Sequence, residues 1–174
     1  MTKSPVDPFA DVRKATDQHR ARHRCHAYPY RHGALLGTLA AAVQARRILE
    51  LGTALGYTAL SFAHGAASSM VDTIERDPEH VEPDHCIVVH EGDFAAVLPT
   101  LDPGYDVAFF DGHTPVPALH LALGKLLRTG GLLITANLNH GGTADTVAKA
   151  LFDGKSWRSA LVDDDGETAV SVKL

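Results

Sequence analysis

The sequence predicts an α/β protein, a Rossmann-like three-layer sandwich whose mostly parallel seven-stranded sheet ends in an antiparallel C-terminal β-hairpin. Short apolar runs alternate with helix-like segments from residue 33 onward, which is typical of parallel strands joined by helical crossovers. The runs RRILEL (46–51) and YDVAFFD (105–111) are almost continuously apolar, as strands covered on both faces are. The segment WRSALVDDDGETAVSVKL (157–174) has two strand-like halves around Asp165 and Gly166, which favour a hairpin turn.

Each predicted element is an apolar stretch bounded by glycine, proline or charged residues. The helix over 33–45, GALLGTLAAAVQA, is rich in small apolar residues suited to packing on a sheet. The helix over 117–131 is predicted to end at the paired glycines Gly130 and Gly131, in the usual C-cap position. The other helices are predicted over 56–65, 93–101 and 142–154, and the other strands over 46–51, 70–75, 86–92, 105–112 and 131–137.

The composition excludes several classes of protein. The 174 residues suit one domain, and 45% hydrophobic with 21% charged residues is ordinary for a globular chain. A net charge of −5 and a pI near 6.1 argue against a nucleic-acid partner. No apolar run can span a bilayer, and the first residues contain no signal-peptide core. With only two cysteines, we expect a reduced, cytoplasmic protein.

The first candidate site lies where the first strand ends, since ligands of open α/β sheets bind at the carboxyl ends of strands. Gly52 and Gly56 form a turn before a helix, but not in the G-x-G-x-x-G spacing of dinucleotide-binding proteins. Glu50 lies inside the strand end, where a buried carboxylate is costly without a cation. A ligand with an ammonium group would explain Glu50, and an ordinary strand-to-helix turn is the alternative.

Two further strand ends carry residues suited to a nucleoside. Glu75 follows Gly52 by 23 positions, close to the ~20-residue offset at which an acid binds a ribose diol. A solvated charge is the alternative reading of Glu75. Asp93 can accept a hydrogen bond from an exocyclic amine and Phe94 can stack on a purine, while Asp93 is also suited to capping the next helix.

Taken in order, the segments ILELGTALGYTAL, TIERD, EGDF, YDVAFFDGH and LLRTGGLLITAN resemble the class I S-adenosylmethionine-dependent methyltransferases. The most similar branch is that of the small bacterial O-methyltransferases related to catechol and caffeoyl-CoA methyltransferases. The resemblance implies methyl transfer to an oxygen, or less readily a nitrogen, of a small-molecule acceptor. It divides the chain into a basic, helical segment over 1–32, a candidate substrate lid, and an S-adenosylmethionine-binding domain over 33–174.

The resemblance also implies which residues bind the cofactor. In the family the glycine loop holds the methionine part, an acid takes the ribose, and an Asp-Phe pair lies at the adenine. S-adenosylmethionine agrees with the residues present, because it brings an ammonium for Glu50 and a diol for Glu75. The cofactor-binding residues implied are Glu50, Gly52, Thr53, Gly56, Tyr57, Thr58, Glu75, Arg76, Asp93, Phe94 and Asp111.

The sequence departs from the metal-dependent members of this family. Asp111 and Asn137 match two of the three metal ligands. Ala136 replaces the other acid, and Thr114 replaces the catalytic lysine. This departure argues against a divalent metal and leaves Asp111 and Asn137 as weak candidate ligands. We therefore expect Asp111 and His113 to be the catalytic residues, with the neutral imidazole of His113 as general base.

Acceptor contacts in the family come from the N-terminal segment and from the loop after the fifth strand. The candidates in this chain are Tyr30, His32, Asn137 and His140. Between the second and third strands, Pro78 and Pro83 interrupt a short connection, so we expect an open adenine pocket. The remaining histidines of the domain are expected at the surface or at strand ends, without function: His64, His80, His85, His90 and His120.

Two other functions compete with methyl transfer. One is a catalytically inactive protein that still binds the cofactor, as a sensor or as a partner subunit. The other is a nicotinamide-dependent oxidoreductase, which is disfavoured because the glycine spacing is wrong and Glu50 would have no purpose. The family also suggests a homodimer.

Overall fold

The computed structural model describes residues 7–77, 86–162 and 167–174. The helices are α1 (Ala10–His23), α2 (Gly33–Ala42), α3 (Tyr57–Gly65), α4 (Phe94–Val97), α5 (Pro117–Leu126) and α6 (Ala144–Leu151), with a 3₁₀ turn over Leu98–Thr100. The strands are β1 (Arg47–Leu51), β2 (Met70–Glu75), β3 (Ile87–Glu91), β4 (Tyr105–Phe110), β5 (Leu127–Thr135), β6 (Trp157–Leu161) and β7 (Ala169–Lys173).

The seven strands of the described ranges form one sheet in the order β3-β2-β1-β4-β5-β7-β6. The first five strands of that order are parallel, and β7 runs antiparallel to both β5 and β6. The predicted fold class is confirmed. The strand order reverses between β1 and β4, which places a topological switch point at their carboxyl ends, where ligands of such sheets bind.

The side chains of each strand alternate between two apolar layers, because successive residues point to opposite faces of a sheet. Ile48 of β1 packs with Phe62 of α3 in one layer, beneath α2 and α3. Leu49 of β1 packs with Leu123 of α5 in the other layer, beneath α5 and α6. The sheet is therefore covered on both faces, as the continuous apolar strands predict.

Helices α2 and α3 meet through glycine. A Cβ atom added to Gly65 would lie 2.2 Å from the carbonyl oxygen of Gly37, and one added to Gly37 would lie 2.6 Å from the carbonyl oxygen of Ser61. No larger residue fits either position without moving a backbone. This close contact fixes α3, whose first residue follows the glycine loop after β1.

One predicted boundary is wrong. Helix α5 ends at Leu126, and Leu127 already belongs to β5, opposite Tyr105 of β4. The glycines predicted as a helix cap instead lie within β5, where residues 128–131 bulge out opposite the single residue Asp106. The bulge is held because Arg128 donates from Nε to Oδ1 of Asp106 at 2.6 Å, and Gly130 adopts a φ of +77° there.

The N-terminal segment packs against the domain. Helix α1 lies on α3, and the hydroxyl of Tyr57 donates to Oδ2 of Asp7 at 2.9 Å. Arg13 lies 3.5 Å from the same carboxylate. The helical part of the segment over 1–32 is α1, which begins at Ala10 and ends at His23.

Some predictions concern residues outside the described ranges or are corrected by the structure. The prolines Pro78 and Pro83, the histidines His80 and His85 and the turn at Asp165 and Gly166 lie outside the described ranges. His120 is not at the surface: its ring is buried, with Nε2 3.1 Å from Oγ1 of Thr135, because α5 turns it toward the sheet. Among the described residues, no helix is both long and apolar enough to cross a membrane.

Candidate active site

The glycine loop after β1 lies against the loop after β4. Gly52 has a φ of +96° and Gly56 a φ of +85°, both in the region that favours glycine. A Cβ atom on Gly52 would lie 3.1 Å from the carbonyl oxygen of Asp111. The two loops therefore approach each other at the switch point, and the residues after β1 and β4 share one site.

The Glu75 carboxylate ties the glycine loop to the end of β2. Its Oε2 atom accepts from the backbone amides of Thr53 at 3.2 Å and Ala54 at 3.0 Å. Its Oε1 atom accepts from the amides of Arg76 at 2.7 Å and Asp77 at 3.0 Å. Hydroxyl groups of a ribose would have to share these oxygens with main-chain amides, so Glu75 also has a structural role that its spacing does not reveal.

The carboxylate of Glu50 is fully buried beneath the glycine loop. The hydroxyl of Thr58 donates to Oε1, and the hydroxyl of Thr73 donates to Oε2 at 2.6 Å. Burial raises the pKa of Glu50 to about 7, against the lowering effect of the two hydroxyls, and the charge of Glu75 raises it further. Glu50 does not border the cavity above it, so direct contact with a ligand ammonium stays a prediction.

A cavity of about 490 Å³ opens above these loops. Ligand sites of this kind commonly measure ~300–1,000 Å³, which is ample for a nucleoside cofactor. Of the predicted cofactor residues, Glu50 and Gly56 do not border it. The predicted residues that do border it are Gly52, Thr53, Tyr57, Thr58, Glu75, Arg76, Asp93, Phe94 and Asp111. We call this space the cofactor cavity.

The side chain of Asp93 caps helix α4, which is one of the two roles that the sequence predicts for it. Its Oδ1 atom accepts from the amide of Ala95 at 2.9 Å, which caps α4. Its side chain also borders the cofactor cavity beside Phe94. A cap and a ligand contact are therefore compatible at this position.

The electrostatics of the site favour a cation. The pKa of Asp111 is raised well above its usual value, first by burial and then by the negative charges of Glu50 and Glu167. No described residue donates a hydrogen bond to the Asp111 carboxylate. A nearby positive charge stabilises the ionised form of a carboxyl group whose pKa is raised by burial. The carboxyl groups of Glu50 and Asp111 therefore fit S-adenosylmethionine, whose ammonium and sulfonium groups are both cationic.

A second cavity, of about 330 Å³, adjoins the first, and we call it the acceptor cavity. The four residues predicted to contact the acceptor all border it: Tyr30, His32, Asn137 and His140. The predicted catalytic residues Asp111 and His113 border both cavities. The structure thus brings the two predicted sets together, although acceptor binding itself stays a prediction.

Two of these residues are held by the surrounding loops. The hydroxyl of Tyr30 donates to Oγ1 of Thr168 at 3.2 Å, and its ring meets Phe109 edge to face at 5.2 Å. Asn137, with a φ of +60°, donates from Nδ2 to the carbonyl oxygen of Gly112 at 2.9 Å. That bond joins the loops after β4 and β5 on the floor of the acceptor cavity.

A divalent metal does not fit this donor set. Ala136 is buried where the metal-dependent pattern places a second acid, and its methyl group supplies no ligand. Thr114 packs against Gly141 in place of the lysine. Within the described ranges, no group of three potential ligating side chains comes together. The weak candidates Asp111 and Asn137 are therefore assigned no metal.

The sequence reading missed His26 and Glu167. His26 borders both cavities, and Glu167 lines the acceptor cavity 3.4 Å from Arg31. A signal for His26 exists in the chain, because every second residue of the segment after α1 is aromatic or histidine and borders a cavity: His26, Tyr28, Tyr30 and His32. No pattern in the sequence indicates Glu167, which is brought in by pairing of β7 with β5.

Known proteins match this chain over more of its length in fold than in sequence. No family model matches the chain. The O-methyltransferase TomG from Streptomyces achromogenes, solved in complex with SAM, has a TM-score of 0.80 over 99% of this chain and 92% of its own, at 21% identity. The O-methyltransferase of Bacillus cereus, in complex with SAH, has a TM-score of 0.75 over 99% and 94%, at 20% identity.

The chain has the O-methyltransferase fold.

Sequence relatives agree with the O-methyltransferase fold. Catechol O-methyltransferase from Mycobacterium tuberculosis is 33% identical over 124 residues, which is 63% of this chain and 56% of that protein. A protein of Mycobacterium sp. (strain JLS), named as an O-methyltransferase by inference, is 29% identical over 82% of this chain and 72% of its own length. The chain thus spans little more than half of the first relative. The resemblance identified from the sequence is confirmed by these names and structures.

Proposed function

We propose that this protein transfers a methyl group from S-adenosylmethionine to an oxygen of a small-molecule acceptor. The observation that carries the proposal is the junction of the two cavities, where Asp111 and His113 border both. A group bound in one cavity and an acceptor bound in the other would meet at these two side chains. An acceptor nitrogen is the less favoured variant of the same reaction.

S-adenosylmethionine would supply a methyl group already activated on a positively charged sulfur. The residues of the chain would then mainly orient the reactants, which is a large source of rate enhancement in group transfer. Asp111 borders the cavity and Glu50 lies beneath the glycine loop. A bound cation would favour the ionised form of both carboxyl groups, whose pKa values are raised chiefly by burial. His113 is exposed at the junction, so its neutral imidazole can accept the proton of an acceptor hydroxyl.

The acceptor is proposed to be small and to carry a hydroxyl group. The acceptor cavity of about 330 Å³ admits a compact molecule, and its lining mixes aromatic rings with imidazoles and carboxylates. Catechol is the rational first probe, because the mycobacterial relative is named for that activity.

The first experiment is a calorimetric titration of metal-stripped protein with S-adenosylhomocysteine, with and without Mg²⁺. We expect saturable one-site binding that Mg²⁺ does not change, because Ala136 leaves the metal without a second acid. Failure to bind at millimolar ligand, a binding free energy weaker than about −4 kcal/mol, would reduce the proposal to a shared fold.

The second experiment measures transfer from labelled S-adenosylmethionine to catechol and to a panel of phenols, alcohols and amines. We expect H113A and D111N to lower kcat by roughly 10²-fold or more while the affinity for S-adenosylhomocysteine changes little for H113A. H23A is the matched control, since His23 is exposed on α1 and borders neither cavity. Tight cofactor binding with no turnover on any acceptor would favour the inactive, cofactor-binding alternative.

We further propose a cytoplasmic location and a homodimer. The location rests on Cys25 and Cys86, which are both free thiols. The dimer rests only on the resemblance. Thiol titration of freshly isolated protein tests the first, and sedimentation velocity at micromolar concentration tests the second.

A further inference from the structure

Six residues border both cavities and therefore surround the point of transfer: His26, Tyr28, Pro29, Tyr30, Asp111 and His113. Two of them, Asp111 and His113, follow β4, and the other four belong to the segment after α1. Among these four, His26 faces His113 directly. Their ring centroids lie 5.1 Å apart with an angle of 41° between the ring planes.

The imidazoles of His26 and His113 differ from those of three other described histidines, each of which lies against a polar side chain. His90 contacts Asp72, His120 contacts Thr135, and His140 lies near Glu167. Within residues 7–77, 86–162 and 167–174, neither His26 nor His113 makes a hydrogen bond through its ring. Both residues are exposed and border the two cavities, and within the described ranges the ring contact of each is with the other.

The backbone around His26 is held in place from both sides. Arg24 ends α1 in the left-handed conformation, with a φ of +55°, and its amide donates to the carbonyl oxygen of Arg20. Arg20 in turn covers the ring of Tyr28 at 4.2 Å. Ala27 is buried, and Tyr30 is fixed on Phe109 and Thr168. The position of His26 against His113 is therefore built by several independent contacts.

We propose that His26 is a positioning residue for methyl transfer: its ring packs on His113 and holds that imidazole at the junction of the two cavities. The proposal rests on the proposed function, since it assigns His26 a role in the same reaction. A ring that would otherwise rotate freely in solvent is thereby kept pointing into the acceptor cavity, and the segment after α1 becomes part of the catalytic site.

The test compares two substitutions of His26. H26A removes the ring, whereas H26F keeps a planar ring of similar size in the same place. With catechol as acceptor, we expect H26A to lower kcat about ten-fold and leave the KM for S-adenosylmethionine unchanged, and H26F to recover most of the loss. H23A is again the matched control.

A double-mutant cycle decides whether His26 acts through His113. If it does, H26A has no further effect on kcat in the H113A background, because coupled residues are not additive. Additive losses, or equal losses in H26A and H26F, would overturn the proposal.

A measurement without turnover separates this proposal from the function on which it rests. The Cε1–H resonance of His113, assigned by its loss in H113A, is shifted by an adjacent aromatic ring. We expect the shift to change in H26A and to persist in H26F. An unchanged His113 resonance in H26A would overturn the proposal. If the wild-type protein methylates no acceptor, the proposed function fails, and the resonance still decides whether His26 positions the His113 ring.

Discussion

Glu75 illustrates how a single carboxylate can serve both the backbone and a ligand. Its two oxygens accept from four main-chain amides, two of them in the glycine loop. The shape of the cofactor cavity therefore depends on this one side chain as much as on the glycines.

Replacing Glu75 with glutamine tests this dependence. In E75Q one pair of amides must face an NH₂ group, so we expect a loss of about 2 kcal/mol in the free energy of unfolding. Amide hydrogen exchange at Thr53 and Ala54 should accelerate, and the affinity for S-adenosylhomocysteine should fall. E91Q is the matched control, because Glu91 lies opposite Glu75 in β3 but is exposed. Equal effects of the two substitutions would contradict the structural role.

At the scale of residues, the sequence predicts which side chains come together at the site. It does not predict which groups form hydrogen bonds with them. The position of Glu50 inside a strand end predicts that its carboxylate is buried, and in the structure the side chain is fully buried. Its partners Thr58 and Thr73 come from α3 and β2, and no local pattern couples those positions. The sequence does not single out His26, because its partner His113 is distant along the chain and the alternation of rings from residue 26 to residue 32 does not indicate which of them meets His113.

Among the elements, α2 and α3 meet at a pair of glycines, and this contact admits glycine alone. In G65A the new methyl group would lie 2.2 Å from the Gly37 carbonyl oxygen. We expect the free energy of unfolding to fall by about 2 kcal/mol or more, because overpacking must move a helix. Chemical denaturation monitored at Trp157 measures the change.

G142A is the control for that substitution. A Cβ atom at Gly142 would meet nothing within 4 Å, so the expected change is within about 0.5 kcal/mol. A G65A protein as stable as G142A would mean that α2 and α3 separate without cost.

Among the described residues, the polar contacts that join the N-terminal segment to α3 include the hydrogen bond from Tyr57 to Asp7, just before α1. Y57F removes the donor and should cost about 1 kcal/mol locally. We expect faster amide exchange in α1 with little change in the strands, measured by mass spectrometry. Y28F is the comparison, since the Tyr28 hydroxyl makes no hydrogen bond to the described residues. Uniform changes across the whole chain in Y57F would argue against a separately opening α1.

The existence and order of the elements follow from the sequence because periodicity and burial are strong signals over entire strands and helices. Boundaries follow less well. The paired glycines after α5 are typical of a helix cap, yet the structure uses them in a bulge of β5. The salt bridge from Arg128 to Asp106 joins residues far apart along the chain, so local propensity does not predict it.

For the whole molecule, two carboxyl groups with raised pKa values make stability depend on pH. The pKa of Glu50 rises from 4.5 to about 7, and that of Asp111 also rises, chiefly through burial. The folded state then keeps protons that the unfolded chain releases. The contribution of these two groups to stability is therefore fully present below their unfolded pKa values of 4.5 and 3.8, and it declines as the pH rises. Glu50 alone accounts for a decline of about 3 kcal/mol between pH 4.5 and 7.

Urea denaturation at pH 5, 6, 7 and 8 measures this dependence. We expect E50Q to be less sensitive to pH than the wild-type protein over this range, because glutamine does not ionise. Parallel curves for the two proteins would show that Glu50 does not titrate in this window.

The position of β7 has a consequence for how the molecule is made. β7 pairs with β5 on one side and with β6 on the other, so a strand that follows both in the chain closes the gap between them. While the chain leaves the ribosome, β6 lacks its partner and β5 presents an open edge that can capture a strand of another chain. Chains cut before Ala169 should therefore aggregate rather than fold to a weaker domain, and β7 decides whether such a molecule stays in solution.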